Sequence, residues 1–162
     1  MEVYTVSLFG HRQLDYPVLT ERTLEMILQK LLENVEYVDF LLGRDGEFDL
    51  LAASVIRRLQ KNGRSANCSL IWVLPYPTAD LQKNREDYLR YYNDIEICDA
   101  SAEGHFRGAH QKRNRVLVDR SDLVLFWVDH PSGGAYHTLL YALRQEKDTL
   151  NLANALENED DV

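Results

Sequence analysis

The sequence predicts an α/β fold with one mostly parallel sheet and helices on both of its faces. Three observations support this fold class. Apolar segments alternate with helical patterns along the chain, several of the segments are continuously apolar, and the long ones end in glycine, proline or a charged residue. Right-handed crossovers make a single, doubly wound, Rossmann-like sheet the simplest topology. Ligands bind such sheets beyond the carboxyl ends of the strands, so the loops there are the candidates for function.

The first half of the chain predicts three strands and two helices. The strands are expected at residues 3–9, Tyr37–Leu42 and Cys68–Leu74, where apolar residues dominate. Thr20 and Asp49 can each cap a helix, because each stands just before a series of apolar residues at helical spacing.

The second half predicts three further strands and three helices. Thr78 is expected to begin a polar helix that runs through Tyr92, and helices are also expected over residues 112–118 and after Ser132-Gly133-Gly134. The strand candidates are residues 94–98, 122–128 and 149–156. We therefore expect one domain over residues 1–148, with residues 149–162 forming an edge strand and an acidic tail.

Charge argues against a nucleic-acid partner. The 162 residues include 18 Lys and Arg and 26 Asp and Glu, a net charge of −8, and residues 146–162 carry six of the acids with one base. Nonspecific nucleic-acid binding depends on neutralising phosphates, which an acidic chain does poorly. Residues 107–120 differ, with five bases and one acid. They form either a solvated helix face or a site for a small anionic ligand.

Composition also bears on location and on metals. No apolar run approaches the roughly 20 residues of a membrane span, and no signal peptide is visible, so we expect a cytoplasmic protein without membrane contact. Cys68 and Cys98 show no CxxC spacing, and the five histidines form no HxxxH or HExxH motif. No metal or cofactor is therefore expected, and homo-oligomerisation stays open.

The predicted strand ends carry residues suited to an anionic ligand. Gly10-His11-Arg12 follows the first strand, and Ser132-Gly133-Gly134 lies between the strand at 122–128 and a helix. Glycines allow close approach of the backbone, and a helix N-terminus offers N–H groups and a positive dipole to phosphate. The alternative for Ser132-Gly133-Gly134 is a tight strand-to-helix turn. Neither GxGxxG nor GxxxxGK[ST] occurs, which disfavours a standard dinucleotide fold or P-loop enzyme.

These segments together resemble a known family. The matching features are Gly10-His11-Arg12, Leu42-Gly43-x-Asp45-Gly46 before a helix with Asp49 and Ala52-Ala53, a proline after the third strand, Arg113-Asn114-Arg115 with Val118-Asp119-x-Ser121-Asp122, and Ser132-Gly133-Gly134. Over residues 1–145 the chain resembles the YpsA-like branch of the SLOG superfamily, which also includes the Smf/DprA and LOG proteins.

The resemblance implies a Rossmann-like domain that binds or senses a phosphorylated, nucleotide-derived small molecule, related to NAD, ADP-ribose or a nucleoside monophosphate. Carried over by position, the implied ligand-binding residues are Gly10, His11, Arg12, Gly43, Asp45, Asp49, Arg113, Asn114, Ser132, Gly133 and Gly134. Ser132, Gly133 and Gly134 would hold a phosphate on backbone N–H groups, and Asp45 and Asp49 would face the ribose.

One departure from the family bears on catalysis. LOG phosphoribohydrolases and nucleoside deoxyribosyltransferases carry a catalytic Glu, and Thr138 occupies the corresponding position here. A threonine cannot replace a carboxylate in cleaving an N-glycosidic bond. Binding or sensing is therefore favoured, enzyme activity stays open and no catalytic residue is assigned. One alternative is an N-glycosidic hydrolase or transferase that uses a relocated carboxylate. Another is a scaffold whose tyrosines at 88, 91 and 92 contact proteins.

Overall fold

A computed structural model describes residues 1–62, 67–98 and 108–156 of the chain. Within these residues six strands and five α-helices alternate. The elements are β1 (Val3–Gly10), α1 (Pro17–Asn34), β2 (Tyr37–Leu42), α2 (Glu47–Lys61), β3 (Cys68–Leu74), α3 (Ala79–Tyr91), β4 (Asp94–Ile97), α4 (Ala109–Arg120), β5 (Leu123–Trp127), α5 (Gly134–Arg144) and β6 (Thr149–Asn151), followed by a 3₁₀ helix (Leu152–Leu156).

The six strands form one parallel sheet in the order β4-β3-β2-β1-β5-β6. From β1 the chain builds outward to β4, and then crosses back to place β5 on the other side of β1. The strand order thus reverses between β1 and β5, which is where a doubly wound sheet opens a crevice at its carboxyl edge. The predicted Rossmann-like α/β fold is confirmed.

Helices cover both faces of the sheet. Leu28 of α1 and Ile56 of α2 belong to one buried cluster, and Leu117 of α4 and Ala142 of α5 belong to the other. Residues of β3 alternate between the two clusters. This burial on both faces explains why the segment is continuously apolar in sequence.

Three helices begin earlier than the sequence predicted, and one of them is α4, which begins at Ala109 rather than at residue 112. α1 begins at Pro17, whose fixed φ suits the first helical position, and Thr20 lies inside the helix, its hydroxyl donating to the Tyr16 carbonyl at 2.9 Å. α2 begins two residues before Asp49, whose carboxylate instead accepts the backbone N–H of Asp45 at 2.9 Å. Both predicted caps were wrong because their side chains bond locally within the first turn.

The last strand, β6, is shorter than the predicted strand over residues 149–156. β6 stops at Asn151, whose side chain accepts the N–H of Val128 and donates to its carbonyl at 3.0 and 2.9 Å. These side-chain bonds replace the next backbone pair of the ladder, and the following Leu152 is buried in the core. The predicted acidic tail at 157–162 and Arg107 of the basic segment lie outside the described residues.

The predicted start of α3 is confirmed, since the Thr78 hydroxyl accepts the N–H of Leu81 at 3.2 Å. The tyrosines at 88, 91 and 92 are buried or half-buried, which does not fit the exposed protein-contact surface of the scaffold alternative. Tyr92 is buried against Trp72, and Tyr88 packs edge-on against the same indole. No helix in the described part of the chain is long and apolar enough to cross a membrane.

Candidate functional site

A cavity of about 650 Å³ opens at the carboxyl edge of the sheet, where β1 and β5 end. Every ligand-binding residue expected from the sequence lines it: Gly10, His11, Arg12, Gly43, Asp45, Asp49, Arg113, Asn114, Ser132, Gly133 and Gly134. The structure therefore brings together residues from four separate segments of the chain. Their roles toward a ligand stay predictions.

Close packing surrounds two glycines, Gly10 at the end of β1 and Gly43 after β2. A Cβ on Gly10 would lie 2.1 Å from Cγ of Phe48, and one on Gly43 would lie 2.7 Å from the Asp45 carboxylate and 2.8 Å from Nη1 of Arg113. A side chain at Gly10 would displace the Phe48 ring, and one at Gly43 would push the Asp45 and Arg113 side chains away from each other. These two glycines let α2 and the buried arginine close the floor of the cavity.

The buried side chain of Arg113 links α4 to the loop after β2 and to the end of β3. Its side chain is 4 % exposed, and Nη2 donates to Oδ2 of Asp45 at 2.6 Å. Nη1 donates to the Val73 carbonyl at 3.1 Å, and Nε and Nη2 both donate to Oδ1 of Asn114. Because protein acceptors occupy the guanidinium, Arg113 fixes the loop after β2 and balances the Asp45 charge.

The network continues to the start of α5. Nδ2 of Asn114 donates to the Thr138 hydroxyl at 3.0 Å, and that hydroxyl donates to the Gly134 carbonyl at 2.9 Å. Thr138 is buried and lies behind the cavity wall. The position at which the sequence comparison expected a catalytic Glu is therefore a structural hydroxyl here, which holds the first turn of α5 against α4.

Asp49 is a second acid at the cavity. Burial of the carboxyl raises the pKa of Asp49 from 3.8 to about 6, although the N–H of Asp45 and the Arg113 charge act in the opposite direction. Desolvation outweighs these favourable contacts because the charged form loses its hydration. Asp49 therefore changes protonation in the mildly acidic range.

Two imidazoles stack at the rim of the cavity. The rings of His11 and His130 are 3.6 Å apart at their centroids and within 10° of parallel. His11 is 6 % exposed, and its Nε2 accepts the backbone N–H of Asp129 at 3.1 Å; His130 is 47 % exposed, with Nδ1 2.7 Å from Oδ1 of Asp129. Burial and the neighbouring His130 lower the pKa of His11, which favours a neutral ring.

The segment Ser132-Gly133-Gly134 forms the start of α5 at the same rim. Gly133 precedes the helix with φ +91° and ψ 175°, a conformation essentially restricted to glycine. The first backbone N–H groups of a helix have no acceptor within it, and those of α5 begin at the cavity lining. The turn is the tight strand-to-helix connection that the sequence offered as one alternative, and anion binding by its N–H groups stays a prediction.

Arg12 contributes positive charge to this cavity. The residue is exposed and lines the cavity, and no ion pair within the described residues involves it. The loop that carries it is held by Glu47, whose backbone N–H donates to the Arg12 carbonyl at 2.9 Å. Arg12 is therefore better placed than Arg113 to meet an external anion.

Sequence reasoning did not assign two histidines to the site. His110 lines the cavity with Nε2 3.4 Å from Oδ1 of Asp45, and His130 forms the imidazole stack. A signal existed for His130, because it stands between a strand and the glycine pair in the sequence. No comparable signal placed His110, because only the fold brings the first turn of α4 to the loop after β2.

Solved structures of known proteins share the fold of this chain. No protein-family model and no curated protein matches the chain. Among solved structures, the chain resembles DNA processing protein A (DprA) from Streptococcus pneumoniae, with a TM-score of 0.64 and 15 % identity over 91 % of this chain and 49 % of that one. The chain shares the DprA fold. It spans about half the length of that DprA structure.

A second DprA structure, from Helicobacter pylori, gives a TM-score of 0.61 and 16 % identity, over 97 % of this chain and 73 % of that chain. That structure is described as showing a single-stranded DNA binding mode of DprA. At these identities the likeness shows the DprA fold alone. The resemblance to Smf/DprA proteins is therefore confirmed at the level of fold.

The DprA neighbours correct the functional prediction from sequence. A phosphorylated nucleotide-derived small molecule was expected as the partner, with N-glycosidic cleavage as the alternative and nucleic acid disfavoured; the single-stranded DNA binding described for the DprA structure from Helicobacter pylori contradicts this expectation. The prediction was wrong because the net charge of −8 averages over the whole chain. At the cavity, Arg12 stands near Asp49, whose pKa is raised, and His110 stands beside Asp45, which is paired with Arg113.

Proposed function

We propose that this chain binds single-stranded DNA at the cavity where β1 and β5 end. The observation that carries the proposal is that the first turn of α5 and the stacked imidazoles of His11 and His130 share one cavity. A single strand presents phosphates and unpaired base faces side by side, and this cavity offers a partner to each. The DprA fold supports the proposal, since one DprA structure is described by its single-stranded DNA binding.

The phosphate would bind at the start of α5. Ser132, Gly133 and Gly134 are exposed at the rim, and the helix that follows has 11 residues, long enough for a dipole at its N-terminus. Backbone N–H groups at such a terminus bind phosphate without a charged side chain. Such donors bind phosphate without any added positive charge, which suits an acidic chain.

An unpaired base would stack on His130. One face of this ring is covered by His11, while 47 % of the side chain is exposed. Stacking of a base on an aromatic ring contributes roughly 1–3 kcal/mol and tolerates any base, because every base has a π face. Binding that relies on stacking needs no cluster of cations.

Arg12 would supply the positive charge. Its position on the loop after β1 puts it in the same cavity as the start of α5. With one cation and neutral N–H donors, few counterions are displaced from the DNA. We expect log K against log salt to slope no more steeply than about −2, since each phosphate neutralised on a single strand contributes about −0.7.

Fluorescence anisotropy with an end-labelled oligothymidylate of about 12 nucleotides tests the proposal. Wild-type protein is expected to bind it, and Arg12→Ala to bind roughly tenfold more weakly or worse, the effect of losing a hydrogen bond to a charged group. The matched control is Arg90→Ala, which removes an exposed arginine of α3 outside the cavity and should leave affinity unchanged.

Three outcomes would contradict the proposal. Wild-type protein could show no binding up to high concentration. Arg12→Ala and Arg90→Ala could weaken binding equally, which would indicate a nonspecific surface effect. The salt slope could also be as steep as that of a cationic groove, and binding would then not depend on stacking and neutral donors.

We also infer that, within this fold group, the chain lies on the YpsA-like branch. Support comes from Gly10-His11-Arg12, Gly43-x-Asp45-Gly46 and Ser132-Gly133-Gly134, which are spaced along the chain as in that branch and here line one cavity. Superposition on the structure of a YpsA-like protein tests the inference. A TM-score above the 0.64 found for DprA is expected, and a lower value would contradict the assignment.

A further inference from the structure

Three potential metal ligands meet at the rim of the cavity. Nε2 of His11 lies 3.3 Å from Oδ1 of Asp129, and Nδ1 of His130 lies 2.7 Å from the same oxygen. The three ligand atoms all fall within 4.8 Å of one another. His11 directly follows β1, and Asp129 and His130 follow β5. The ends of two adjacent strands therefore position the cluster.

The hydrogen bonds of the cluster leave one contact unexplained. Nε2 of His11 accepts the backbone N–H of Asp129, so this nitrogen carries its lone pair toward the residue. The same nitrogen stands 3.3 Å from a carboxylate oxygen of Asp129, which also has only lone pairs to offer. Two acceptors that face each other at this distance are stabilised by a cation between them.

We propose that His11, Asp129 and His130 bind a divalent transition-metal ion of the zinc, cobalt or nickel class. Two imidazole nitrogens with one carboxylate oxygen favour these ions over Mg²⁺ and Ca²⁺, which prefer oxygen ligands. Ligand atoms about 2.0–2.2 Å from a metal are roughly 3–3.5 Å apart. The 3.3 Å between His11 and Asp129 falls in this range, and the 2.7 Å between His130 and Asp129 would have to widen. This inference does not rest on the proposed DNA binding.

Metal binding requires Nε2 of His11 to give up its hydrogen bond from the N–H of Asp129, because the same lone pair would bind the metal, and it requires the rings to move. A metal lies in the plane of each imidazole that binds it, so the nearly parallel stack of His11 and His130 has to open. His11 is buried, whereas His130 is half-exposed on a loop and can rotate. Three protein ligands leave further positions for water or for an anion from the cavity, as in open metal sites.

Titration of untagged, metal-free protein with Zn²⁺, and with Co²⁺ as a spectroscopic substitute, tests the inference in the absence of DNA. Wild-type protein is expected to bind one equivalent, to melt at a higher temperature with Zn²⁺ and to give visible Co²⁺ absorption bands. His130→Ala and Asp129→Asn should each bind Zn²⁺ roughly tenfold more weakly or worse. The control His137→Ala removes an exposed histidine of α5 outside the cluster and should match wild type.

Three outcomes would overturn the inference. They are no Zn²⁺ binding by folded wild-type protein, equal binding by wild type and His130→Ala, and a loss caused by His137→Ala as large as that caused by His130→Ala. If His130→Ala unfolds, Asp129→Asn and the Co²⁺ spectrum of wild type still decide. Normal DNA binding by a protein without Zn²⁺ affinity would refute the metal site alone.

Discussion

Replacing Arg113 by Ala tests whether this residue holds the site together from inside. The guanidinium is 4 % exposed and bonds Asp45, Asn114 and the Val73 carbonyl. Its removal leaves a carboxylate, an amide oxygen and a carbonyl without these donors. Breaking a buried ion pair costs about 3–5 kcal/mol, and the 26 % exposure of the Asp45 side chain lets water recover part of that cost. We therefore expect a loss of about 3 kcal/mol.

Urea denaturation followed by circular dichroism measures this loss. For a chain of this size about 3 kcal/mol also lowers the melting temperature by roughly 6–12 °C. The matched control is Lys112→Ala, an exposed neighbour on the same helix, which should change stability by no more than about 0.5 kcal/mol. Arg113→Ala within that same margin would refute the assignment of Arg113 as a connector.

Three further predictions concern the floor and rim of the cavity. The pKa of Asp49 is about 6 in the folded protein rather than 3.8. The stability of wild type relative to Asp49→Asn is therefore expected to be greatest below pH 3.8 and to be lost as the pH rises through about 6. Urea denaturation curves from about pH 4 to about pH 7 check this, and a difference that does not change with pH would contradict it. Gly133→Ala, at φ +91°, should cost about 1–3 kcal/mol and weaken oligonucleotide binding, whereas unchanged melting and anisotropy would count against it. Gly10→Ala should lower the free energy of unfolding by about 1–3 kcal/mol, because its Cβ would lie 2.1 Å from Phe48. Adding Phe48→Leu should recover part of this loss in thermal melts. If the losses of the two single variants simply add in the double variant, this explanation is rejected.

The fold was predictable because its signals are local. Strands buried on both faces are continuously apolar, as in β3, and helices between them repeat at helical spacing. Helix starts were predicted less well, because a proline and local side-chain bonds placed the caps four residues before Thr20 and three residues before Asp49.

The residues of the cavity were predictable as a group, since the carboxyl ends of parallel strands meet at one edge. Their pairing was not. His11 and Asp129 are 118 positions apart, and nothing in the sequence links them. Arg113 stands among bases that resemble a solvated helix face, yet Asp45 from another loop makes its burial possible.

The function predicted from sequence failed for a different physical reason. Net charge governs long-range attraction to a polyanion, but a short single strand can bind through stacking and neutral N–H donors. The residues able to do this here are His130 and the glycines that begin α5, none of which changes the net charge. Amino-acid composition could not reveal these residues, but their position after a predicted strand did indicate a site.

Amide chemical shifts of ¹⁵N-labelled protein, recorded while an unlabelled oligothymidylate of about 12 nucleotides is added, test the proposed DNA site most directly. We expect the largest shifts at Gly133, Gly134 and Ala135 and on the loop with Arg12, all of which line the cavity. The exposed face of α1, on the other side of the sheet, should not respond. Shifts centred on α1, or none at concentrations that saturate DprA, would contradict the central claim.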